Sequence, residues 1–381
     1  RRGLIAVLAA LAASGAAADP PPPEPGSIRV AVFNAALSRR APGALVQEFR
    51  LGGSAQIDAV AEIVQRARPD ILLVNEIDHD ARGVSAALLA ETLAAAGRGG
   101  AEPIAYPHVF AAPANTGVLT GFDLDGDGRV ARPADAHGFG FYEGQFGMAL
   151  LSRFPFGPAR TFRLFPWRAL PDARIPPGHY PEAALETLRL SSKSHWDVAV
   201  ETPRGRLHIL ASHPTPPVFD GPEDANGRRN ADEIRFWALY LDGSVALTDD
   251  AGAAGGAAAA PAVLLGDLNS DPADGDGIRA AIRGLLAHPR LQDPRPRSAG
   301  GAAAADPGHA GDPGLDTAAF GTDPGPGSIR VDYALPTRHL AVTGSGVFWP
   351  APGDPLRRLV GEGDPVVSSD HRLVWVDMRL P

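Results

Sequence analysis

The chain contains no cysteine, a single lysine and two methionines in 381 residues. The absent thiols exclude disulfides, Cys-ligated zinc, thiol nucleophiles and lipidated cysteines. Export is still compatible, because a chain this long can bury enough apolar surface without disulfide staples. Lysine occurs only at Lys193, every other basic side chain being Arg or His, and the net charge is −9. A protein this acidic is not built as an avid, nonspecific coat for nucleic acid. No comfortable membrane span is present either: the apolar run from Leu4 is short and rich in Ala and Gly.

What is abundant is small and irregular. Forty-four Gly and 38 Pro imply long connections, while 44% hydrophobic residues suffice for a large core. The first residues, RRGLIAVLAALAASGAAADPPPPEPG, have a basic start, an apolar run and small residues ending at Ala16, Ala17 and Ala18. They read as a secretory signal peptide, residues 1–18, followed by a Pro-rich linker, 19–26. Cleavage there would remove Arg1 and Arg2 and take the net charge from −9 to −11. The expected destination is secreted or periplasmic, with no membrane span left after cleavage. The chain does not begin with Met, which suggests a truncated N-terminus.

Beyond the linker, short apolar runs alternate with helical patterns. Ser27 to Asn34 reads as a strand ending in an amide, and Ile57, Val60, Ala61 and Val64 mark an amphipathic helix that stops before Pro69. Ile71 to Val74 is a second strand, delivering Asn75 and Glu76. A helix over Val84 to Ala96 and strands near Tyr106 to Ala111 and over Met148 to Leu151 follow. Phe162 to Leu190 shows no period and reads as loop. Trp196 to Glu201 and Arg206 to Ser212 form a hairpin about Pro203 to Gly205, with Lys193 and His195 at its start and His213 at its end. Ile234, Trp237, Ala238 and Leu241 make a core-facing helical stripe. The Ala/Gly tract 251–260 reads as a flexible connection. PAVLLGDLNSDP, Pro261 to Pro272, is a buried strand that breaks into Asp267 and Asn269; alternation puts these two on one side. Ile329 to Leu335 is a strand containing Asp332, and Ser369, Asp370 and His371 precede a last strand, Leu373 to Met378. Strand alternating with helix predicts an α/β or mixed layered fold.

Taken singly, each polar residue has an ordinary structural explanation, such as an Asx turn at Asp267 or a satisfied loop histidine at His213. Their recurrence at strand ends across nearly the whole chain points to one convergent site and to a single domain, 27–381. Separately, Asp123, Asp125 and Asp127 with Gly128 resemble the first half of an EF-hand-type loop, suggesting a structural Ca²⁺. The second half is missing, because the twelfth position is Ala134.

Asn34, Glu76, His213, the GDLN block of Asp267 and Asn269, Asp332 and the terminal SDH of Ser369 to His371 together resemble the endonuclease/exonuclease/phosphatase family of metal-dependent phosphoesterases. The resemblance spans about Ile28 to Met378. It implies an α/β (α+β) fold, a four-layer sandwich of two packed mixed β-sheets flanked by helices. It implies Mg²⁺ or Mn²⁺ held by Asn34, Glu76 and Asp370, with Asp267 close by, and His371 as general base oriented by Asp332. His213 and Asn269 would bind phosphate oxygens, and Lys193 and His195 would contact substrate. Two departures stand out: Asn75 replaces the glutamine many members carry, and the carboxylate expected to orient His213 is represented by nothing better than Glu143 or Gln145. The implied activity is hydrolysis of a phosphodiester, or of a phosphomonoester, by in-line attack of water. Nucleic acid, phospholipid head groups and inositol or sugar phosphates are candidate substrates, and a noncatalytic calcium-dependent binding protein is the alternative. A monomer is expected.

Overall fold

The structure is a computed structural model that describes residues 19–243, 247–257, 260–321, 325–361 and 366–381. The expected signal peptide lies outside the described residues. In chain order the elements begin with β1 (Ile28–Leu37), α1 (Ala44–Leu51), α2 (Ala55–Ala67), β2 (Ile71–Ile77), α3 (Val84–Ala95), β3 (His108–Phe110) and β4 (Gly147–Ser152). Next come β5 (Phe156–Thr161), α4 (Glu182–Leu185), β6 (His195–Thr202), β7 (Gly205–Ser212), α5 (Ala225–Asp242), β8 (Ala262–Asp267) and α6 (Arg279–Leu286). The chain closes with α7 (Ala299–Ala303), β9 (Ala318–Ala319), β10 (Ser328–Ile329), β11 (Asp332–Pro336), β12 (Ala341–Val347) and β13 (Val374–Arg379).

Two mixed sheets are packed face to face. The six-stranded sheet has the order β12-β13-β1-β2-β4-β3 and the five-stranded sheet β11-β8-β7-β6-β5. Only β1–β2 and β7–β8 run parallel within them. Parallel neighbours need a crossover, supplied by α1 and α2 in the first case and by α5 in the second. Ile57, Val60, Val64, Leu89 and Leu93 of α2 and α3 join the cluster of the first sheet. Ile234, Trp237 and Ile282 of α5 and α6 cover the outside of the second. The result is the helix–sheet–sheet–helix order expected of the fold. Ser54 caps α2 by accepting from the Ile57 N–H at 3.4 Å. No helix among the described residues is long and apolar enough to cross a membrane.

Two sequence expectations change. Phe162 to Leu190 carries little regular structure, yet Phe162, Phe165, Trp167, Leu188 and Leu190 are buried in the outer cluster of the second sheet. A segment that folds back on itself buries apolar residues without any period, so its pattern is unreadable. The strand expected over Ile329 to Leu335 is split: Ile329 ends β10 against β9, and β11 begins afresh at Asp332.

Candidate active site

Alternation decides which side chains meet between the sheets. On β8, Val263 and Leu265 belong to the inter-sheet cluster and Leu264 to the outer one. Asp267 shares the parity of Val263 and Leu265, so it faces the first sheet. On β7, Ile209 and Ala211 point inward and Leu210 outward, which delivers His213 to the same side just past the strand end. On β11, Ala334 is inward and Tyr333 and Leu335 outward. Asp332 is therefore inward as well, and the register sets it opposite Asp267. Gly266 allows this convergence: a Cβ there would lie 2.3 Å from the Ser212 carbonyl oxygen.

The first sheet meets this group with β1 and β2. Asn34 pairs with Asn75 in the parallel register, which becomes irregular beyond them. Glu76 sits in that irregularity at φ +57°, a backbone conformation that side chains other than Gly rarely adopt. Such a bulge takes Glu76 out of the strict alternation and leaves it half-buried among fully buried neighbours.

Asp267 is the hub. Its Oδ2 accepts from Asn34 Nδ2 at 3.0 Å and lies 3.4 Å from His213 Nε2 and 3.7 Å from His371 Nε2. Its Oδ1 accepts from the Asn269 N–H at 2.9 Å, and its own N–H donates to Asn75 Oδ1 at 3.2 Å, crossing between the sheets. Burial opposes the charge on Asp267, but the two imidazoles and the Asn34 amide outweigh it and hold the carboxyl well below the usual range.

His371 Nδ1 lies 2.9 Å from Asp332 Oδ2, and Phe320 sits edge-on to the imidazole at 5.3 Å. Burial disfavours the imidazolium, yet Asp332 and Asp267 together raise the His371 pKa well above its ordinary value. Burial also raises Asp332, to about 6, against the pull of His371. Both shifts mean that the dyad holds a proton tightly. Thr317, which no pattern singled out, fixes the dyad's frame: its Oγ accepts from the N–H groups of Val331 and Asp332 at 3.0 and 2.9 Å, and its carbonyl from Arg372 at 2.7 Å.

On the other flank lie His213 and Lys193. Burial and the Lys193 charge lower the His213 pKa, against Asp267 and Glu76, and among the described residues its buried Nδ1 has no partner. Burial also lowers Lys193, against the neighbouring charges of Glu233, Glu76 and Asp267. Glu233 is the organiser that sequence reading missed. Its Oε1 accepts from the Ser192 N–H at 2.7 Å and its Oε2 from the Thr215 N–H at 2.6 Å, clamping the segments that carry Lys193 and His213. The available signal was the Asp-Glu pair of Asp232 and Glu233 beside an apolar helical stripe, since buried carboxylates require partners.

Several residues stand elsewhere than expected. His195 is buried with both ring nitrogens engaged, Nδ1 at 3.0 Å from Ser191 Oγ and Nε2 at 2.9 Å from the Glu233 carbonyl, so it is a packing residue and not a substrate ligand. Glu143 pairs with Arg132 and Gln145 with the backbone of Arg39 and Phe141; the carboxylate at His213 is Asp267 itself. Asn269 donates one amide N–H to the Pro214 carbonyl at 3.1 Å, and among the described residues nothing takes the other. Asp271 braces the turn, accepting from Ala273, Asp274 and Arg330 N–H groups.

The donor set for a cation is mixed. Asp267, Asp332 and His371 offer ligand atoms within 4.8 Å of one another, but the Asp332–His371 hydrogen bond already occupies that space. Asn34 is flanked by Glu76, next to its register partner, and by Asp370, whose neighbour Ser369 donates to the Asn34 carbonyl at 2.7 Å. Among the described residues no group donates a hydrogen bond to the Glu76 carboxylate, and the Asp370 carboxylate has only Ser369 Oγ at 3.4 Å. Under-used carboxylates and amide oxygens are the donors a hard divalent cation takes, so these residues fit one. In the acidic loop, the grouped carboxylates are Asp123, Asp125 and the buried Asp135. Asp127 is not among them, its Oδ1 accepting from the Arg129 N–H at 2.8 Å. The loop closes through a residue one place beyond the twelfth position.

A sequence model described as the Endonuclease/Exonuclease/phosphatase family matches residues 33–371. No curated protein matches the chain in sequence. Among solved structures, the chain is similar to the endonuclease/exonuclease/phosphatase from Beutenbergia cavernae DSM 12333, at 22% identity and a TM-score of 0.52, covering 93% of this chain and 72% of that one. It is also similar to the human Nocturnin catalytic domain, at 16% identity and a TM-score of 0.48 over 94% and 96% of the two chains. Sphingomyelinase C from Streptomyces griseocarneus matches at 14% identity and a TM-score of 0.47, over 92% and 99%. Likeness at the level of the first speaks to the fold.

Proposed function

The chain belongs to the endonuclease/exonuclease/phosphatase family, whose members hydrolyse phosphoester bonds, and we propose from that premise that it is an exported, metal-dependent phosphodiesterase. The observation that carries this reading is the buried Asp332–His371 pair standing over Asp267, with Asn34 and His213 on the same carboxylate oxygen.

His371 Nε2 is the free end of the dyad and the proton acceptor for an attacking water. Asp332 fixes the ring by holding Nδ1–H, and its charge stabilises the imidazolium that forms. Asp267 orients the water beside Nε2. His213, Asn269 and Lys193 supply donors to nonbridging phosphate oxygens, where charge grows during attack. Glu76, Asn34 and Asp370 would hold the Mg²⁺ or Mn²⁺. Such a cation would neutralise phosphoryl charge and bring the His371 pKa down toward its working range. Export rests on the reading of residues 1–18, which the mass of the mature N-terminus tests.

The acidic charge favours small phosphodiesters, lipid head groups or phosphorylated sugars over long polyanions. A metal-supplemented panel of DNA, RNA, sphingomyelin, inositol phosphates and aryl diesters, run beside His371→Ala, tests the proposal. Hydrolysis of at least one ester that the variant loses upholds it; no hydrolysis of any ester, or full activity in the variant, removes it.

A further inference from the structure

Residues 138–141 read GFGF, and the structure buries the glycines and exposes the phenylalanines. Phe139 and Phe141 are 59% and 60% exposed, while Gly138 and Gly140 are buried. That inverts the usual demand, because small residues turn inward where apolar rings could have packed. The glycines are required where they stand: a Cβ on Gly138 would lie 2.0 Å from the Ser192 carbonyl oxygen, and one on Gly140 would lie 2.8 Å from the Gly117 nitrogen. The backbone of this segment is thus pressed against the residue preceding Lys193.

The other end of the segment is fastened to the backbone of Glu76, on the metal side. The Phe146 N–H donates to Ser38 Oγ at 3.1 Å, and Ser38 Oγ donates to the Glu76 carbonyl at 3.2 Å. The Phe141 N–H donates to Gln145 Oε1 at 2.8 Å, and Gln145 Nε2 to the Arg39 carbonyl at 2.9 Å. The rings pack on one another, Phe139 and Phe141 edge to face at 5.5 Å and Phe139 and Phe146 at 6.3 Å. A segment pressed against Ser192 at one end and tied through Ser38 to the Glu76 backbone at the other therefore presents an exposed aromatic pair between two stretches that carry site residues. Exposed aromatic surface of this kind marks a binding surface, and its place between the stretches that carry Lys193 and Glu76 makes the substrate the ligand to test.

We propose that Phe139 and Phe141 form a subsite for an apolar group esterified to the scissile phosphate, an inference that rests on the phosphodiesterase reading. The substrate class is a phosphodiester with at least one carbon-rich substituent, aromatic or aliphatic. Hydrophilic diesters gain nothing from the subsite. The rings bind the ground state and the transition state alike, so they act on KM and not on kcat.

The test is steady-state hydrolysis of diphenyl phosphate, dioctyl phosphate and bis(2-hydroxyethyl) phosphate with Mn²⁺ by the wild type and by the Phe139→Ser/Phe141→Ser variant, after circular dichroism has matched the two folds. The expected result is a rise in KM of roughly tenfold for diphenyl phosphate, dioctyl phosphate or both, with kcat and the hydrophilic ester unchanged. A larger effect on the diphenyl ester assigns the subsite to a planar group, a larger effect on the dioctyl ester to a chain. An equal loss on all three esters, or no loss on any, overturns the proposal. Should the wild type hydrolyse none of the three, the wider ester panel decides the phosphodiesterase reading and calorimetric binding of the same three esters decides the subsite: weaker binding of the apolar esters by the variant upholds it, equal binding overturns it. Variant-sensitive binding to phosphatidylcholine vesicles, or variant-sensitive dimerisation in sedimentation, without discrimination among the esters, assigns the rings to a lipid surface or a second copy and also overturns it.

Discussion

Asp332 and Asp267 face each other across one antiparallel pair of strands, and the His371 imidazole reaches both, 2.9 Å from Asp332 Oδ2 and 3.7 Å from Asp267 Oδ2. Two buried carboxylates in such register repel one another, and the imidazole relieves that repulsion only as a cation. The geometry that orients the ring thus also sets its proton affinity.

Replacing Asp332 by Asn should lower the His371 pKa, because the carboxylate that stabilises the imidazolium is removed. In a titration followed by NMR of the imidazole C–H, metal-free Asp332→Asn should lose its His371 proton at lower pH than the wild type. An unchanged or raised value contradicts the electrostatic account.

Asp316, next to the Thr317 that frames the dyad, provides a pH test of stability through a carboxyl of its own. Burial, aided by Asp271, Asp274 and Asp312, raises its carboxyl from 3.8 to about 8. Between those values the native state holds the proton more tightly than the unfolded state, so stability falls as pH rises through the window. Asp316→Asn removes that slope. It should stabilise the protein at pH 7.5 by up to a few kcal/mol, at about 1.4 kcal/mol per pH unit, and much less at pH 5. Urea midpoints that differ by the same amount at both pH values contradict this.

Glu233→Gln replaces an acceptor that holds two backbone N–H groups and faces a buried lysine. Breaking a buried charge arrangement from one side costs about 3–5 kcal/mol, and the segments bearing Lys193 and His213 should loosen together. Urea unfolding should show the loss of stability, and the surviving folded enzyme should have a lower kcat. A fully stable, fully active variant would show that the clamp is dispensable.

Chelation should abolish hydrolysis while leaving the far-ultraviolet dichroism unchanged, since the core forms from apolar clusters independent of Glu76 and Asp370. Mg²⁺ or Mn²⁺ should restore activity, and Glu76→Gln should require a higher concentration of either. Undiminished activity in chelator contradicts a metal-dependent reaction.

Much of this architecture was legible in the sequence because period-two alternation continues into the residues of the candidate site. The parity of Val263 and Leu265 carries Asp267 inward, and that of Ile209 and Ala211 carries His213. Asn34, Asp332 and His371 each had an ordinary explanation taken singly and were legible only through their joint recurrence at strand ends and the family resemblance. Glu233 and Thr317 stayed hidden because each acts by accepting backbone N–H groups from segments distant in sequence, which no local pattern encodes. His195 misled for the converse reason: the ring that could bind a phosphate is held by Ser191 and a helix carbonyl. The true partner of His213 could not be found by searching its neighbourhood in sequence, since Asp267 lies on the adjacent strand.

The central claim is that Asp332 and His371 act as one catalytic unit, and a double-mutant cycle tests it most directly. With saturating Mn²⁺ and an aryl phosphodiester, Asp332→Asn and His371→Ala should each lower kcat by roughly 10²–10⁴-fold. The double variant should be no slower than His371→Ala alone, because residues working as a unit are not additive. Additive losses, or wild-type turnover in His371→Ala, would contradict it.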